Sequence, residues 1–205
     1  MKSGWFHLPL VSCVLLLLAG CSQPPAPVKK AEEKPVPVTG ESALFKMFQV
    51  AHTWDPRPEI LKLTSSRIAD APEERGKAYA WECTFVSRTL NRSRTFTYSV
   101  IELLPNLHKG VFGVGEDAYS FSNKTSTPFA IEAVKIDTDQ AYQTALTKAE
   151  DYDRKNPNKP IIFILEMTSR YPGPTWRVIW GESASTSNFS VFVDANSGKF
   201  LEVMH

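Results

Sequence analysis

Two nearly identical segments constrain the fold of this 205-residue chain more than any other feature. ILKLTSSR covers residues 60–67, and ILEMTSR covers residues 164–170. Each follows a segment with apolar residues at helical spacing and a proline-containing stop, and each precedes a strand pattern that opens at a tryptophan, Trp81 or Trp176. Because the order and the spacing agree over the whole unit, the sequence predicts two copies of one unit.

Each copy is predicted to be one helix followed by an antiparallel β-meander, which gives an α+β fold of two tandem copies. The first helix has Thr39 or Ser42 as its N-cap, and the second begins at Asp137, with Gln140 completing a capping box. A further strand is expected in FAIEAVKI, residues 129–136, between the copies. The apolar face predicted for the first helix consists of Leu44, Phe45, Met47, Phe48 and Ala51.

The N-terminus has the pattern of a secretory signal. Its apolar run, residues 8–19, is too short for a membrane-spanning helix of ~20 residues. The small pair before Cys21 resembles the lipobox of bacterial lipoproteins. That resemblance implies cleavage after Gly20, a thioether-linked diacylglycerol on Cys21, and acylation of the new amino group, with palmitate as a typical acyl chain. The alternative is an ordinary signal peptide, residues 1–20, followed by an incidental cysteine.

Residues 21–40 are predicted to be a linker behind the lipidated cysteine. Five prolines, mixed charge and no aromatic residue cannot form a core, so the segment is expected to be a semi-extended spacer. At ~3.1 Å per residue it spans up to ~60 Å. The expected partner is thus a membrane, contacted through the lipid on Cys21. Some inner-membrane lipoproteins carry Asp after the lipidated cysteine. Ser22 stands at that position here, so the resemblance implies the outer membrane, facing the periplasm, if the host is Gram-negative.

The charge and cysteine content limit the classes of function. Removal of residues 1–20 takes away one lysine and no acid, which lowers the formal net charge from +1 to zero. A neutral chain lacks the basic surface of a nucleic-acid-binding protein, so no nucleic-acid partner is expected. With Cys21 lipidated and Cys13 removed with the signal, Cys83 is the remaining cysteine. Its alternation with Trp81 and Phe85 predicts a buried position.

The segment FSVFVDANSGKFLEV, residues 189–203, and the strand TWRVIW, residues 175–180, resemble PepSY domains. The likeness covers residues 137–203 and is weaker in the first copy, where ELLPNLHKG replaces the glycine-closed turn. It implies an α+β, cystatin-like unit outside the membrane that in some members inhibits or regulates a protease. The predicted domains are therefore residues 41–136, with a connector, and residues 137–205.

No motif in the sequence predicts catalysis, a cofactor or a metal. GESA occurs at residues 40–43 and 181–184, but both copies lack the final glycine of a nucleophile elbow. Asp137 and Asp139 open a segment that lacks the glycine and glutamate of a calcium loop. The histidines have no second ligand at metal spacing. They are His52, His108 and His205.

These observations predict a membrane-anchored, non-enzymatic envelope protein that binds a protein or peptide partner or regulates one, including by protease inhibition. Two alternatives are an accessory structural subunit of an envelope complex and a small-ligand carrier that uses a cleft between the copies. The pair Trp176 and Trp180 is expected to lie in the core beneath a helix, whereas Trp54, beside the proline-rich helix stop, is expected to be exposed.

Overall fold

A computed structural model describes residues 1, 34–69, 71–72, 74–122 and 125–205. The predicted signal peptide, the cleavage site at Gly20 and the lipidation site at Cys21 lie outside the described residues. Each half of the described chain contains one α-helix followed by four strands. The first half contains α1 Gly40–Ala51, β1 Glu59–Ser66, β2 Ala80–Ser87, β3 Arg92–Ser99 and β4 Gly110–Ala118. The second half contains α2 Thr138–Lys155, β5 Ile161–Glu166, β6 Thr175–Trp180, β7 Ser190–Asp194 and β8 Phe200–Met204.

The strands form a single antiparallel sheet in the order β4-β3-β2-β1-β5-β6-β7-β8. The two matching segments of the sequence are the central strands β1 and β5, which pair with each other. Leu63 lies opposite Leu165, and Lys62 lies opposite Glu166. The α+β class is confirmed. The predicted boundary between residues 136 and 137 divides one continuous sheet, and the assignment of its halves to two PepSY-like domains stays a prediction.

Helix α2 begins as its sequence predicts. The Asp137 side chain accepts hydrogen bonds from the backbone N–H groups of Thr138 and Gln140, and the Gln140 side chain accepts one from the N–H of Asp137, which completes the capping box. Thr39 is the N-cap residue of α1, but its side chain makes no capping hydrogen bond. The carboxylate of Asp137 also accepts a bond from the N–H of Glu41, 2.8 Å away. One side chain therefore satisfies donors at the start of both helices.

Both helices pack on one face of the sheet, α1 against β1–β4 and α2 against β6–β8. The rings of Trp81 and Trp176 are fully buried and meet at Gly40, the first residue of α1. Each indole donates a hydrogen bond to the carbonyl that precedes a helix N-cap: Trp81 to Val38 and Trp176 to Ile136. The predicted burial of the tryptophans on β2 and β6 is confirmed.

The prediction of a strand in FAIEAVKI, residues 129–136, is wrong. Phe129 exchanges two backbone hydrogen bonds with Ile60, of 2.8 and 3.0 Å, and the chain then forms a 3₁₀ helix, Ile131–Ala133. Beyond this point β1 is paired on both sides, with β2 and with β5, so it offers no free edge for another strand. The segment instead leads to α2, with the N–H groups of residues 135 and 136 bound to the carbonyl of Ala195.

The opposite face of the sheet carries a small apolar cluster. Ile162, Ile164 and Ile179 are buried there, with Ala184 against them. Beside this cluster Arg177 is half-buried, and its Nε donates to Ser190 Oγ at 3.1 Å. The described residues place no helix over this face, which agrees with the predicted sheet that is covered on one side.

Candidate functional site

A groove runs along α1. The helix carries two stripes of side chains, one buried in the core and one that lines the groove. The buried stripe consists of residues 40, 43, 44, 47 and 51. Glu41, Phe45, Phe48 and His52 recur at i, i+4, i+7 and i+11, so they form a neighbouring stripe that points away from the core centre. The predicted apolar face of α1 is therefore only partly correct, because Phe45 is 55% exposed.

The groove lies between α1 and the connector around residues 131–134. It has two adjoining parts, of about 570 and about 460 Å³, which share Phe48, Ile131 and Glu132. Both volumes lie within the ~300–1,000 Å³ of ligand-binding clefts. Phe48 itself is half-buried and stacks edge-on against His52, with ring centroids 4.6 Å apart. We call this surface the α1 groove.

One end of the α1 groove is acidic. Glu41 and Asp137 line it, and Glu132 lies on the connector. Partial burial, and then the charges of Asp137 and Asp139, raise the pKa of the Glu41 carboxyl. Several carboxylates crowded at one end of an apolar groove favour a ligand that brings a positive charge.

The other end of the groove is mixed in charge. Asp55 is almost completely buried and accepts hydrogen bonds from Ser87 Oγ at 2.5 Å and from the backbone N–H of Arg57 at 2.6 Å. Arg88 forms an ion pair with Glu59, with 2.6 Å between Nε and Oε2. Because Asp55 ties the α1–β1 loop to the end of β2, this end of the groove is held by its own hydrogen bonds.

A separate cavity of about 200 Å³ lies where the β1–β2 loop meets the C-terminal part of α2. Arg75 and Asp153 line it, with 3.0 Å between Nη2 and Oδ2, and Asp153 also accepts a hydrogen bond from Trp180 Nε1. This is the cleft between the halves that a small-ligand carrier would use. Its volume is below the ~300–1,000 Å³ of sites for drug-sized ligands.

The other residues that the sequence singled out lie apart from the α1 groove or at its margin. Cys83 is fully buried, as predicted, and burial together with the nearby charge of Glu82 raises the pKa of its thiol well above the usual value. Trp54 is half-buried rather than exposed, and its Nε1 donates to Glu116 on β4 at 2.9 Å. In the β3–β4 loop, Nδ1 of His108 lies 3.0 Å from Oε1 of Glu102, and His205 follows β8.

The described residues contain neither a metal-binding cluster nor a membrane-spanning helix. No group of three or more His, Cys, Asp or Glu side chains in that part of the chain is arranged to hold a metal ion. No helix in the same ranges combines the length and the apolar character that crossing a membrane requires.

Comparison with known proteins leaves the family open. No protein-family model matches the chain, and no curated protein matches it significantly. Among solved structures, a candidate lipoprotein from Clostridium difficile 630, determined at 1.85 Å resolution, is similar with a TM-score of 0.44 and 13% sequence identity. The similarity covers 78% of this chain and 91% of that chain. A likeness this distant carries no argument about function, so the PepSY and lipobox resemblances stay predictions.

Proposed function

We propose that this chain is a membrane-anchored, non-enzymatic envelope lipoprotein that binds a peptide segment of a partner protein in the α1 groove. The observation that carries the proposal is Phe45, a large apolar side chain 55% exposed beside an acidic groove. An apolar side chain exposed in a concave surface gains free energy when a partner covers it. Binding would be regulatory in effect when the bound segment belongs to a protease.

The ligand is a segment with an apolar side chain next to a lysine or arginine. The apolar side chain would contact Phe45 and Phe48, and the cation would lie near Glu41 and Asp137 at the acidic end. Charge complementarity of this kind fixes the direction of a bound peptide more than it raises the affinity. Helix-in-groove recognition uses the same combination of apolar anchors and a charged flank.

The anchor in this proposal is the lipid on Cys21, after cleavage behind Gly20. The lipobox pattern and the proline-rich linker support it. Two or three acyl chains bind a bilayer far more strongly than one, because each buried methylene contributes ~0.8 kcal/mol. In a Gram-negative host the protein would face the periplasm from the outer membrane.

The proposal includes two ancestrally related halves of PepSY-like type, residues 41–136 and 137–205. Their common element order, the pairing of the matching strands β1 and β5, and the equivalent indole hydrogen bonds of Trp81 and Trp176 support this. Each indole binds the carbonyl directly before its own helix N-cap. Descent from one ancestor would explain this repeated detail, because both halves would then have inherited the same contact between the helix start and the sheet.

The anchor is tested with an alkyne analogue of palmitate fed to the producing cells. The wild-type protein should incorporate the label and float with membranes, whereas Cys21→Ser should do neither. A wild-type protein without label would remove the anchor from the proposal.

The groove is tested by selection of random phage-displayed peptides against the purified protein. Enriched peptides should carry an apolar residue close to Lys or Arg, and Phe45→Glu should abolish their binding. Phe112→Glu is the matched control, because Phe112 is 51% exposed but lies on β4, outside the groove. Equal loss with both variants, or no enrichment, would refute the groove as a peptide site.

A second candidate function, an accessory structural subunit of an envelope complex, is favoured by the edge strand β4. Phe112 and Val114 are exposed on this strand, which among the described residues pairs with one neighbour, β3. Exposed edge strands can pair with another chain. Stoichiometric co-purification with one large complex, lost on Phe112→Glu but kept on Phe45→Glu, would favour this function over the first.

A further inference from the structure

The most exposed apolar side chains of the folded part lie at one end of the sheet. After Met1, the highest exposed fractions among the described large apolar residues belong to Leu104, at 71%, and Val36, at 65%. Leu103, beside Leu104, is 46% exposed. Such residues are costly to leave in water and often mark a surface that another phase or molecule covers.

Backbone hydrogen bonds bring together the two segments that carry these residues. Val38 and Ala78 exchange two bonds, of 3.0 and 2.9 Å, at the point where the N-terminal segment joins the fold. The next carbonyl, of Tyr79, accepts a bond of 3.0 Å from the N–H of Val100, at the start of the β3–β4 loop. The segment that leads back to the predicted anchor and the β3–β4 loop therefore meet the fold at the same end.

The β3–β4 loop, which we call the leucine loop, covers residues 100–109 and is held by its own contacts. Leu103 and Leu107 form a backbone bridge with bonds of 2.8 and 3.0 Å. The carboxylate of Glu102 accepts a bond from the backbone N–H of Lys109 at 2.5 Å. Because these bonds close the base of the loop, Leu104 stays outside the core, at its exposed tip, without a large ordering cost on binding.

We propose that the leucine loop inserts into the surface of the bilayer that carries the anchor. This inference rests on the anchor at Cys21 in the proposed function. Twelve residues lie between Cys21 and Lys34, so the chain length alone keeps Lys34 within ~45 Å of the anchor, at most ~3.3–3.6 Å per residue. At that distance the loop contacts the membrane as an intramolecular event, so even the small affinity of two leucines is sufficient. Lys109, the last residue of the loop, would then approach anionic head groups.

Docking of this loop would also fix the orientation of the protein. The leucine loop lies at the C-terminal end of β3, whereas the β2–β3 turn with Leu90 lies at the opposite end of the same strand. With the first end against the bilayer, Leu90 points away from it. The long linker would then supply reach during delivery rather than permanent distance from the membrane.

The test uses the full-length lipidated protein in vesicles of phosphatidylethanolamine and phosphatidylglycerol. An environment-sensitive fluorophore, NBD, is attached to Leu104→Cys and, as the matched control, to Leu90→Cys. Leu90 is 47% exposed, close to the value for Leu103. Cys83 does not compete for the label because it is fully buried.

The expected result is a blue shift at position 104 on vesicles, with quenching by lipids spin-labelled near the head group, and neither effect at position 90. Flotation of the same sample is scored separately and reports on the anchor. An unchanged spectrum at position 104, or equal changes at both positions, overturns the proposal whether or not the protein floats. A shift seen in native envelopes but absent from protein-free vesicles also overturns it, because it assigns the loop to a protein partner.

Discussion

Substitution of Gly40 by alanine should destabilise the protein although alanine is the better helix former. A Cβ atom at this position would lie 2.7 Å from Thr138 Cγ2, 2.8 Å from Trp176 Cη2 and 3.2 Å from Trp81 Cη2. The two indoles cannot move aside easily, because each is buried and hydrogen-bonded through Nε1. Overpacking of this kind costs ~1–3 kcal/mol. That cost exceeds the ~1 kcal/mol or less that alanine gains over glycine in a helix.

Urea denaturation followed by tryptophan fluorescence measures this effect. We expect Gly40→Ala to lower the free energy of unfolding by ~1–2 kcal/mol, the overpacking cost less the gain in helix propensity. For a chain of this size each kcal/mol corresponds to a fall in Tm of ~2–4 °C. Gly115→Ala is the matched control, since a Cβ there has no atom within 4 Å. Equal unfolding midpoints for the two variants would refute the claim that both halves pack against one point at the start of α1.

Three further predictions concern single side chains. Asp137→Ala should lower the free energy of unfolding by ~1–3 kcal/mol in urea, and Asp137→Asn by much less, because the carboxylate oxygen accepts bonds from both helix starts and an amide oxygen can replace it. Burial and the hydrogen bond to Glu202 raise the pKa of Tyr171 to about 12. Tyr171→Phe should therefore remove the last step from an ultraviolet phenolate titration. The stability that the protonated phenol contributes should persist below its ordinary pKa of 10 and be lost as the pH rises towards 12. Cys83 should react with a thiol reagent only as the protein unfolds, so fast labelling in buffer without urea would contradict its burial.

The sequence predicts the strands and helices of this fold well where hydrophobic periodicity and caps act locally. The capping box at Asp137 and the alternation around Cys83 are local patterns, and both are confirmed. The strand prediction for FAIEAVKI failed although its apolar residues are compatible with a strand. A strand also needs a free sheet edge to pair with, and only the assembled sheet defines where such an edge lies. Periodicity cannot report such an edge.

The α1 groove shows a second limit of sequence reasoning. Phe45 and Phe48 extend the apolar pattern of α1, so periodicity assigns them to the core together with Leu44 and Met47. The core stripe is narrower than the apolar pattern, and the excess forms the wall of the groove. An apolar stripe wider than one packed face is the signal that could have indicated a binding surface. The leucine loop had no such signal, because its exposure depends on the contacts that close its base.

Site-specific photo-crosslinking in living cells tests the central claim most directly. Benzoylphenylalanine replaces Phe45 in one sample and Phe112 in the other, in the lipidated full-length protein. The account predicts a discrete adduct at position 45 that is absent at position 112, with the captured peptide carrying an apolar residue beside a lysine or arginine. No adduct at position 45, or the same adducts at both positions, would contradict a membrane-anchored protein that holds a partner in the α1 groove.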